Sequence, residues 1–346
     1  MTTTLSNPSS AKFHYEFSLG GMSFNQQNNN ITSSTGAGHI YYNLLPVVKF
    51  KYNFNQNEFL HVNYLGYSEM PFLYQLQPLP DLSNPYLIKL GNPDLKESFT
   101  NLLIFNYSAI FHTNQFLNLS LEGTETGNMI GLATNTLPGG VQQVQYVNLN
   151  GIYNMDLNAQ YSFPLIKQEN GTSSIGSKIL YGHNLSVING IDNAVKDKGV
   201  NGNLSLHFHR GKTLFIDAGG SIEYLANQYS LVNEPGSASW QRDYNINITY
   251  ILPFSMSIGA IYDLQAKAIS GLPGQRTNLF NAFISRDVFG RGAGQLRLSG
   301  FNLLNASSAI SQSTGPNYTE IDKTNALHRF VLLSLVYNFS KFKKKQ

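Results

Sequence analysis

The feature that most constrains this chain is an alternation of apolar and polar residues that continues over unusually long stretches. In 153–163 the odd positions are Tyr, Met, Leu, Ala, Tyr and Phe, and the even positions are Asn, Asp, Asn, Gln and Ser. With few exceptions the same pattern recurs in 214–224, 244–250 and 254–264. Alternate side chains of a β-strand point to opposite faces, so a period of two predicts strands with one apolar and one polar face.

These stretches are longer than the strands of ordinary soluble proteins. A soluble strand has about 5 to 6 residues, whereas a tilted strand that crosses a bilayer needs about 9 to 11. Charged residues make up only 12% of the chain, which is about half the usual share in soluble domains. No apolar run reaches the roughly 18 residues of a membrane-spanning helix. Together these features predict an all-β fold, an antiparallel transmembrane β-barrel formed by residues 1–346 as one domain.

The connections between the predicted strands carry a second signal. About fourteen strands are predicted, near 12–25, 40–55, 58–69, 98–112, 115–125, 143–163, 178–189, 202–209, 213–228, 239–251, 254–267, 277–287, 294–304 and 328–340. Short turns alternate with longer loops at 26–39, 70–97, 126–142, 190–201, 229–238, 268–276 and 305–327. Outer-membrane barrels have short periplasmic turns and longer extracellular loops. One connection, 164–177, breaks the alternation with about 14 residues, and its Asn170-Gly171 step predicts a flexible insertion.

Aromatic residues are abundant, with 20 Tyr and 22 Phe. In membrane barrels such side chains form girdles at the two bilayer interfaces. The candidates for these girdles are Tyr41, Tyr42, Tyr153, Tyr161, Phe163, Tyr224, Tyr250 and Tyr337.

The chain shows no catalytic or cofactor motif. It contains no cysteine, which excludes thiol catalysis, disulfides and Cys-ligated metals. His207 and His209 lie on one strand face about 7 Å apart, and a polar wall explains this pair better than a metal site does. A net charge of +3 gives no reason to expect nucleic acid as a partner. We therefore expect no catalytic residue, no metal and no cofactor, in a protein that is not an enzyme.

Two segments resemble a known family. Gly91-Asn92-Pro93-Asp94-Leu95-Lys96-Glu97, followed by the predicted strand Phe99–Phe111, resembles the GNP-x-L-K-P-E segment of TonB-dependent receptors, with Glu97 and Ser98 where the family usually has Pro and Glu. Gly294–Asn305 is similar to their penultimate strand, with Asn302 in place of an Asp, and His328–Phe339 is similar to their closing strand. Among these receptors the chain resembles the outer membrane protein beta-barrel family, from about residue 40 to its end.

The resemblance implies a receptor in the outer membrane of a Gram-negative bacterium, surrounded by outer-membrane lipid. Its barrel would have about 22 strands and hold an N-terminal plug, through which a periplasmic energy-coupling protein would act. The segment Met1–Ser10 is polar and lacks the apolar core of a signal peptide. We therefore expect this chain to be the C-terminal portion of such a barrel, without its plug domain and signal peptide.

The resemblance also implies a function, which is energy-coupled uptake of a nutrient whose identity the sequence does not reveal. The Pro-rich loop 70–97 is the best candidate surface for the ligand, because long loops are usually functional. The candidate ligand residues are Tyr74, Gln75, Asp81, Asn84 and Tyr86, and the family-motif residues are Gly91, Asn92, Pro93, Leu95 and Lys96. Two alternatives remain at this point: a self-contained porin-like channel of fourteen strands, and a soluble β-sandwich that binds glycans.

Overall fold

The structure, a computed structural model, describes residues 2–7, 12–30, 35–112, 115–165, 171–231, 236–289, 293–306, 308–314, 319–325 and 327–337. The strands among them are β1 Thr2–Ser6, β2 Phe13–Asn30, β3 Thr35–Asn55, β4 Glu58–Glu69, β5 Asp81–Asn84, β6 Leu87–Leu90, β7 Ser98–Ile110, β8 Phe116–Gly127, β9 Met129–Thr136, β10 Gln142–Leu149, β11 Ile152–Pro164, β12 Gly171–Ile188, β13 Ile191–Arg210, β14 Leu214–Tyr229, β15 Ser237–Leu252, β16 Met256–Ile269, β17 Gln275–Val288, β18 Gly294–Phe301, β19 Ser308–Thr314, β20 Thr319–Asn325 and β21 Phe330–Tyr337. A single helical turn, α1, spans Leu73–Leu76.

Fifteen of these strands form one continuous antiparallel sheet, so the all-β prediction is confirmed. The order of pairing is β1, β2, β3, β4, β7, β8, β11, then β12 to β18 in sequence, and finally β21. Within the described residues, β1 and β21 each pair on one side only. We call this sheet the wall.

The wall has two chemically different faces, as the alternation predicted. On one face, the partners across β14 and β15 are Tyr224 with Trp240, Ala218 with Ile246, Ile216 with Ile248 and Leu214 with Tyr250. On the other face they are Glu223 with Gln241, Ser221 with Asp243, Gly219 with Asn245 and Asp217 with Asn247. The register carries these faces across the neighbouring strands β13 and β16. We call them the apolar face and the polar face.

The height of the apolar face matches a bilayer. From Leu214 to Tyr224 the rise is about 33 Å along the strand, or about 25 Å along the membrane normal at a tilt of about 40°. That is the height of the apolar band on outer-membrane barrels.

The wall is a single layer rather than half of a sandwich. The chain exposes 22725 Å² of surface, whereas a compact soluble protein of this mass exposes roughly 14,000 Å². Large apolar side chains such as Ile179, Val200 and Leu204 are about half exposed on the apolar face. No second sheet covers that face in the described part of the chain, because the only other sheet there is the small β19–β20 hairpin. The β-sandwich alternative is therefore wrong.

Several predicted loops are strands instead. Most of 26–39 belongs to β2 and β3, which pair as far as Asn30 with Thr35. Residues 191–201 of the predicted loop 190–201 lie inside β13, and β12 and β13 are joined by a two-residue turn at Asn189-Gly190. Both turn residues have positive φ, 50° and 76°, as the tight turn of a β-hairpin requires.

The irregular connection predicted at 164–177 is also shorter than expected. β11 ends at Pro164 and β12 begins at Gly171. Residues 171–177 of the predicted connection therefore belong to β12, where 172–177 pair with the end of β11. Asn170, on which the predicted flexible insertion partly depended, lies outside the described residues.

The remaining differences lie at one end of the wall. The predicted strand 143–163 is two strands, β10 and β11, with a break at Asn150-Gly151. The predicted loop 126–142 contains β9, and the predicted loop 305–327 contains the β19–β20 hairpin. The long connections 70–97 and 128–151 share this end, which we call the loop end; the opposite end is the turn end.

Most girdle candidates lie on the apolar face, and one does not. Tyr224 packs on Trp240 with ring centroids 4.9 Å apart, near the loop end. Tyr153 packs on His183 at 5.2 Å, and Phe289 packs on Tyr337 at 5.6 Å. Tyr41 points to the polar face and is only 5% exposed, so its assignment to a girdle is wrong.

The described residues include no helix with the length and apolar character needed to cross a membrane.

Candidate ligand site at the loop end of the wall

The long connections at the loop end fold into a compact unit over the wall. We call this unit the cap; it consists of residues 70–97 and 128–151, with α1, β5, β6, β9 and β10. β10 pairs antiparallel with β9 and parallel with β6, and β9 also pairs briefly with β12. Four apolar side chains are buried in the cap, which therefore has a small apolar core: Leu76, Leu95, Val144 and Leu149.

The family-motif residues hold the cap together. A Cβ on Gly91 would collide with the backbone carbonyl of Gln77 and lie 2.9 Å from that of Gln75, so only glycine fits there. The next residue, Asn92, donates its backbone N–H to the Gln75 carbonyl at 2.6 Å. Its side-chain amide donates to the Tyr146 carbonyl at 3.0 Å. The motif thus ties α1 to β10.

The second half of the motif is fixed by an asparagine from β10. Lys96 donates its backbone N–H to Asn148 Oδ1 at 2.8 Å. Asn148 Nδ2 donates in return to the carbonyls of Lys96 at 2.9 Å and Asn128 at 2.8 Å. Leu95 is 3% exposed, and Pro93 lies between these anchored residues. This arrangement gives Gly91, Asn92, Leu95 and Lys96 a structural role.

The five predicted ligand residues do not form one pocket. Tyr74 lies on α1, where its ring stacks on Phe72 at 5.6 Å and meets Tyr146 edge-on at 6.0 Å. Burial, with Tyr74 nearby, raises the pKa of Tyr146. Gln75 uses its side-chain oxygen to accept the Phe72 N–H at 2.8 Å.

Asp81, Asn84 and Tyr86 lie on the separate β5–β6 hairpin. Asp81 and Asn84 accept hydrogen bonds from the backbone N–H groups of Ser83 and Tyr86, each at 3.0 Å. The Ser83 N–H lowers the pKa of the Asp81 carboxyl. The Tyr86 carbonyl is held by Gln142 on β10, four residues or about 13 Å along the strand from Tyr146. The hairpin and α1 therefore present two distant surfaces.

A cavity that sequence reasoning missed lies between the cap and the polar face of the wall. Its volume is about 580 Å³, within the range of small-molecule sites. It is lined by Tyr67, Glu69, Met70, Phe72, Gln75, Ser98, Thr100, Thr124, Thr126, Met129 and Ile130. Gln75 is the one candidate that the sequence and the cavity share.

The polar floor of this cavity follows from the register of three strands. Tyr67 faces Thr100, which in turn faces Thr126. The hydroxyls of Thr100 and Thr126 are 3.0 Å apart. Glu69, opposite Ser98, forms no ion pair with any described residue. The sequence feature that predicts this row of hydroxyls is the alternation at 98–100 and 124–126.

Two further polar groups are buried on the polar face. Asn43 lies there four residues from Val47, the residue at which the pairing of β3 with β4 ends. The Tyr41 hydroxyl and the Asn43 amide nitrogen have no hydrogen-bond partner among the described residues. Pro71 closes this side, since its carbonyl accepts a hydrogen bond from Gln26 at 3.2 Å.

Away from the cap, the polar face carries exposed charge pairs. Lys49 and Glu16 are 2.9 Å apart, and Lys178 and Asp156 are 3.1 Å apart. His207, one of the two histidines of the predicted polar wall, lies 2.8 Å from Asp217. No group of three or more potential metal ligands occurs in the described part of the chain. Charges of both signs are expected on the face of a barrel wall that contacts water.

An antiparallel sheet with an apolar face of bilayer height, a charged opposite face and a folded cap at one end is the wall of a transmembrane β-barrel. The chain belongs to the outer membrane protein beta-barrel family, whose model matches residues 4–237, more than half of the 346 residues. Its location is therefore the outer membrane, where barrels have long extracellular loops and short periplasmic turns.

The family match differs in extent from the predicted resemblance. It begins at residue 4 rather than near residue 40. It ends before Gly294–Asn305 and His328–Phe339, so the similarity of these segments to the last strands of TonB-dependent receptors stays a prediction. Phe339 lies outside the described residues.

Among solved structures, the chain is similar to the toluene transporter TodX of Pseudomonas putida. The identity is 9% and the TM-score is 0.28, with 86% of this chain and 84% of that chain covered. A likeness this weak carries no argument about fold or function. No curated protein matches the chain.

Proposed function

We propose that this chain forms most of the wall of an outer-membrane receptor that takes up a small nutrient by the energy-coupled mechanism of TonB-dependent receptors. The observation that carries the proposal is the cavity between the cap and the polar face. Its position at the extracellular end lets a ligand bind from outside and then meet the water-facing side of the wall. The function is transport rather than catalysis.

The free edges of the wall support a larger barrel. An unpaired strand edge in hydrocarbon leaves backbone N–H and C=O groups without partners, which is costly. β1 and β21 each present such an edge in the described residues. We propose that further strands pair with them and complete a barrel of about 22 strands, the size of plugged outer-membrane transporters. A plug inside it would contact the periplasmic energy-coupling protein.

The chemistry of the cavity limits the ligand. The cavity is lined by the hydroxyl-bearing residues Thr100, Thr124 and Thr126, by the single carboxylate of Glu69, and by the aromatic residues Tyr67 and Phe72. This lining suits a small molecule with hydroxyl or amine groups and an apolar side. An anionic ligand is disfavoured, because the one charge among the lining residues is negative.

The test is growth on limiting amounts of single nutrients, comparing a strain that carries the gene with one that lacks it. For the nutrient that distinguishes them, Glu69→Gln and Thr100→Val should reduce uptake about tenfold by removing polar contacts. Thr172→Val, on the polar face near the turn end, is the matched control and should leave uptake unchanged. Equal uptake by all three variants would contradict the site.

A passive channel is the alternative function, because a charged polar face would also line an aqueous pore. Dependence of uptake on energy distinguishes a receptor from such a channel. A protonophore should abolish uptake by a receptor and leave diffusion through a channel intact. Stable single-channel conductance of the purified chain in a planar bilayer, together with uptake that resists the protonophore, would favour the channel.

A further inference from the structure

A second cavity, separate from the one beneath the cap, lies on the apolar face of the wall. It is an open groove of about 1080 Å³ that runs across β11 to β15. Small residues form its floor, notably Gly202 and Ala218, and large apolar side chains such as Ile175, Leu204 and Ile222 rise around it. Gly202 has no neighbouring atom within 4 Å of the place where a Cβ would be, so the space above it is open.

The extracellular rim of the groove is aromatic and basic. Trp240 and Tyr244 both line it, and Arg242 stands between them on the same face, opposite Ile222. Arg276 faces Ala266, which also faces Arg242, so the two arginines are two strands apart, about 10 Å. Lys198 adjoins Val200 at the same end of the groove, opposite Ala226.

These three cations have no counter-charge within the described part of the chain. Lys198, Arg242 and Arg276 form no ion pair with any described residue. The nearest acids along their strands, Asp197 and Asp243, alternate to the polar face. Exposed arginines on a lipid-facing surface, level with the interfacial aromatics, lie where lipid headgroups lie.

We infer that this groove is a binding site for one phosphate-bearing lipid of the outer leaflet. An acyl chain fills the groove above Gly202, and the phosphate is held by Arg242 and Arg276, while Lys198 adds a third positive charge farther toward the loop end, level with Ala238. Guanidinium groups bind phosphate through paired hydrogen bonds. The apolar groove matches the acyl chain of such a lipid, and the cationic rim matches its phosphate. An uncharged partner would leave the cations without counter-ions.

Arginine variants test the headgroup half. The purified full chain in detergent micelles is titrated with a phosphate-bearing lipid extracted from its own outer membrane, and binding is followed by native mass spectrometry. The double substitution Arg242→Gln, Arg276→Gln should weaken binding by roughly 30-fold, at about 5-fold per basic residue near a charged lipid surface. Arg286→Gln is the matched control, since Arg286 lies on the same face near the turn end, opposite Leu296.

A glycine variant tests the acyl-chain half. Gly202→Val adds bulk to the floor of the groove at a position where a Cβ meets no atom within 4 Å, and it should release the motionally restricted fraction of a spin-labelled lipid. Gly123→Val is the control, because Gly123 lies on the apolar face outside the groove and is equally open.

Binding of the same lipid without its phosphate separates the contribution of the headgroup from nonspecific hydrophobic association. The dephosphorylated lipid should bind as weakly to the wild type as the intact lipid binds to the double variant. Equal binding of intact and dephosphorylated lipid, or full binding by the double variant, would overturn the site. Cross-linking at Trp240 in native membranes would detect a second protein in the groove. Such a protein, found with no lipid retained, would also overturn the site.

Discussion

The wall and the cap are built from one chain by different physical means. The wall is held by long antiparallel ladders, such as the eighteen residue pairs between β12 and β13, and one of its faces is exposed apolar surface. The cap is held by particular side chains, such as Asn92 and Asn148, around the buried Leu95. The comparison shows where the identity of a residue matters. Any apolar residue serves on the apolar face of the wall, whereas the cap depends on individual glycines and asparagines.

The largest effect should come from a charge in the middle of the apolar face. Ile246→Arg places a guanidinium near the centre of the hydrocarbon, at a cost of about 2–4 kcal/mol in the free energy of unfolding. Asn245→Arg, one position away on the polar face, should change it by less than about 0.5 kcal/mol. Denaturant unfolding in lipid vesicles measures both. Equal destabilisation by the two variants would mean that the faces of the wall are assigned wrongly.

An intermediate effect should come from the cap. Asn148→Ala removes three hydrogen bonds and leaves the Lys96 and Asn128 groups unpaired, a local cost of about 1–3 kcal/mol. Hydrogen exchange in 70–97 should accelerate by roughly tenfold or more, while exchange in β13 to β16 stays unchanged. Asn84→Ala, which removes one exposed contact with Tyr86, is the control. Loss of protection throughout the wall would show that cap and wall are not separate units.

The smallest effect should come from an exposed ion pair on the polar face. Lys178 and Asp156 are 3.1 Å apart, with side chains 43% and 34% exposed. Solvent screening keeps such pairs to about 0.2–1 kcal/mol. A double-mutant cycle with Lys178→Gln and Asp156→Asn, by the same vesicle unfolding assay, should give a coupling energy in this range that shrinks in high salt. A coupling above about 2 kcal/mol would indicate that the polar face is dry.

The wall was predictable because its signals are local. β4 is found at the predicted residues 58–69, where alternation and the turn at Gln56-Asn57 agree. The β12–β13 hairpin also has a local signal in the sequence. Asn189-Gly190 lies between Ile188 and Ile191, and Asn-Gly between apolar residues is the strongest short-range hairpin signal.

The cap was not predictable in the same way, because its contacts are long-range. The parallel pairing of β6 with β10 joins Leu87–Leu90 to Gln142–Gln145, which no local period specifies. Glu69, Thr100 and Thr126 meet in the cavity only because β4, β7 and β8 are neighbours in the sheet. The role of the loop 70–97 as a ligand surface stays a prediction; its Gly91 and Asn92 serve the structure of the cap, and Gln75 is the candidate ligand residue that lines the cavity.

The most direct test of the central claim uses the absence of cysteine. Single cysteines at each position from 244 to 250 are labelled with a fluorophore, and the protein is placed in vesicles that contain a lipid-borne quencher. The account predicts quenching with a period of two, strong at 244, 246, 248 and 250 and weak at 245, 247 and 249. Quenching without this period, or with the odd positions quenched more strongly, would contradict a wall that turns its apolar face to lipid.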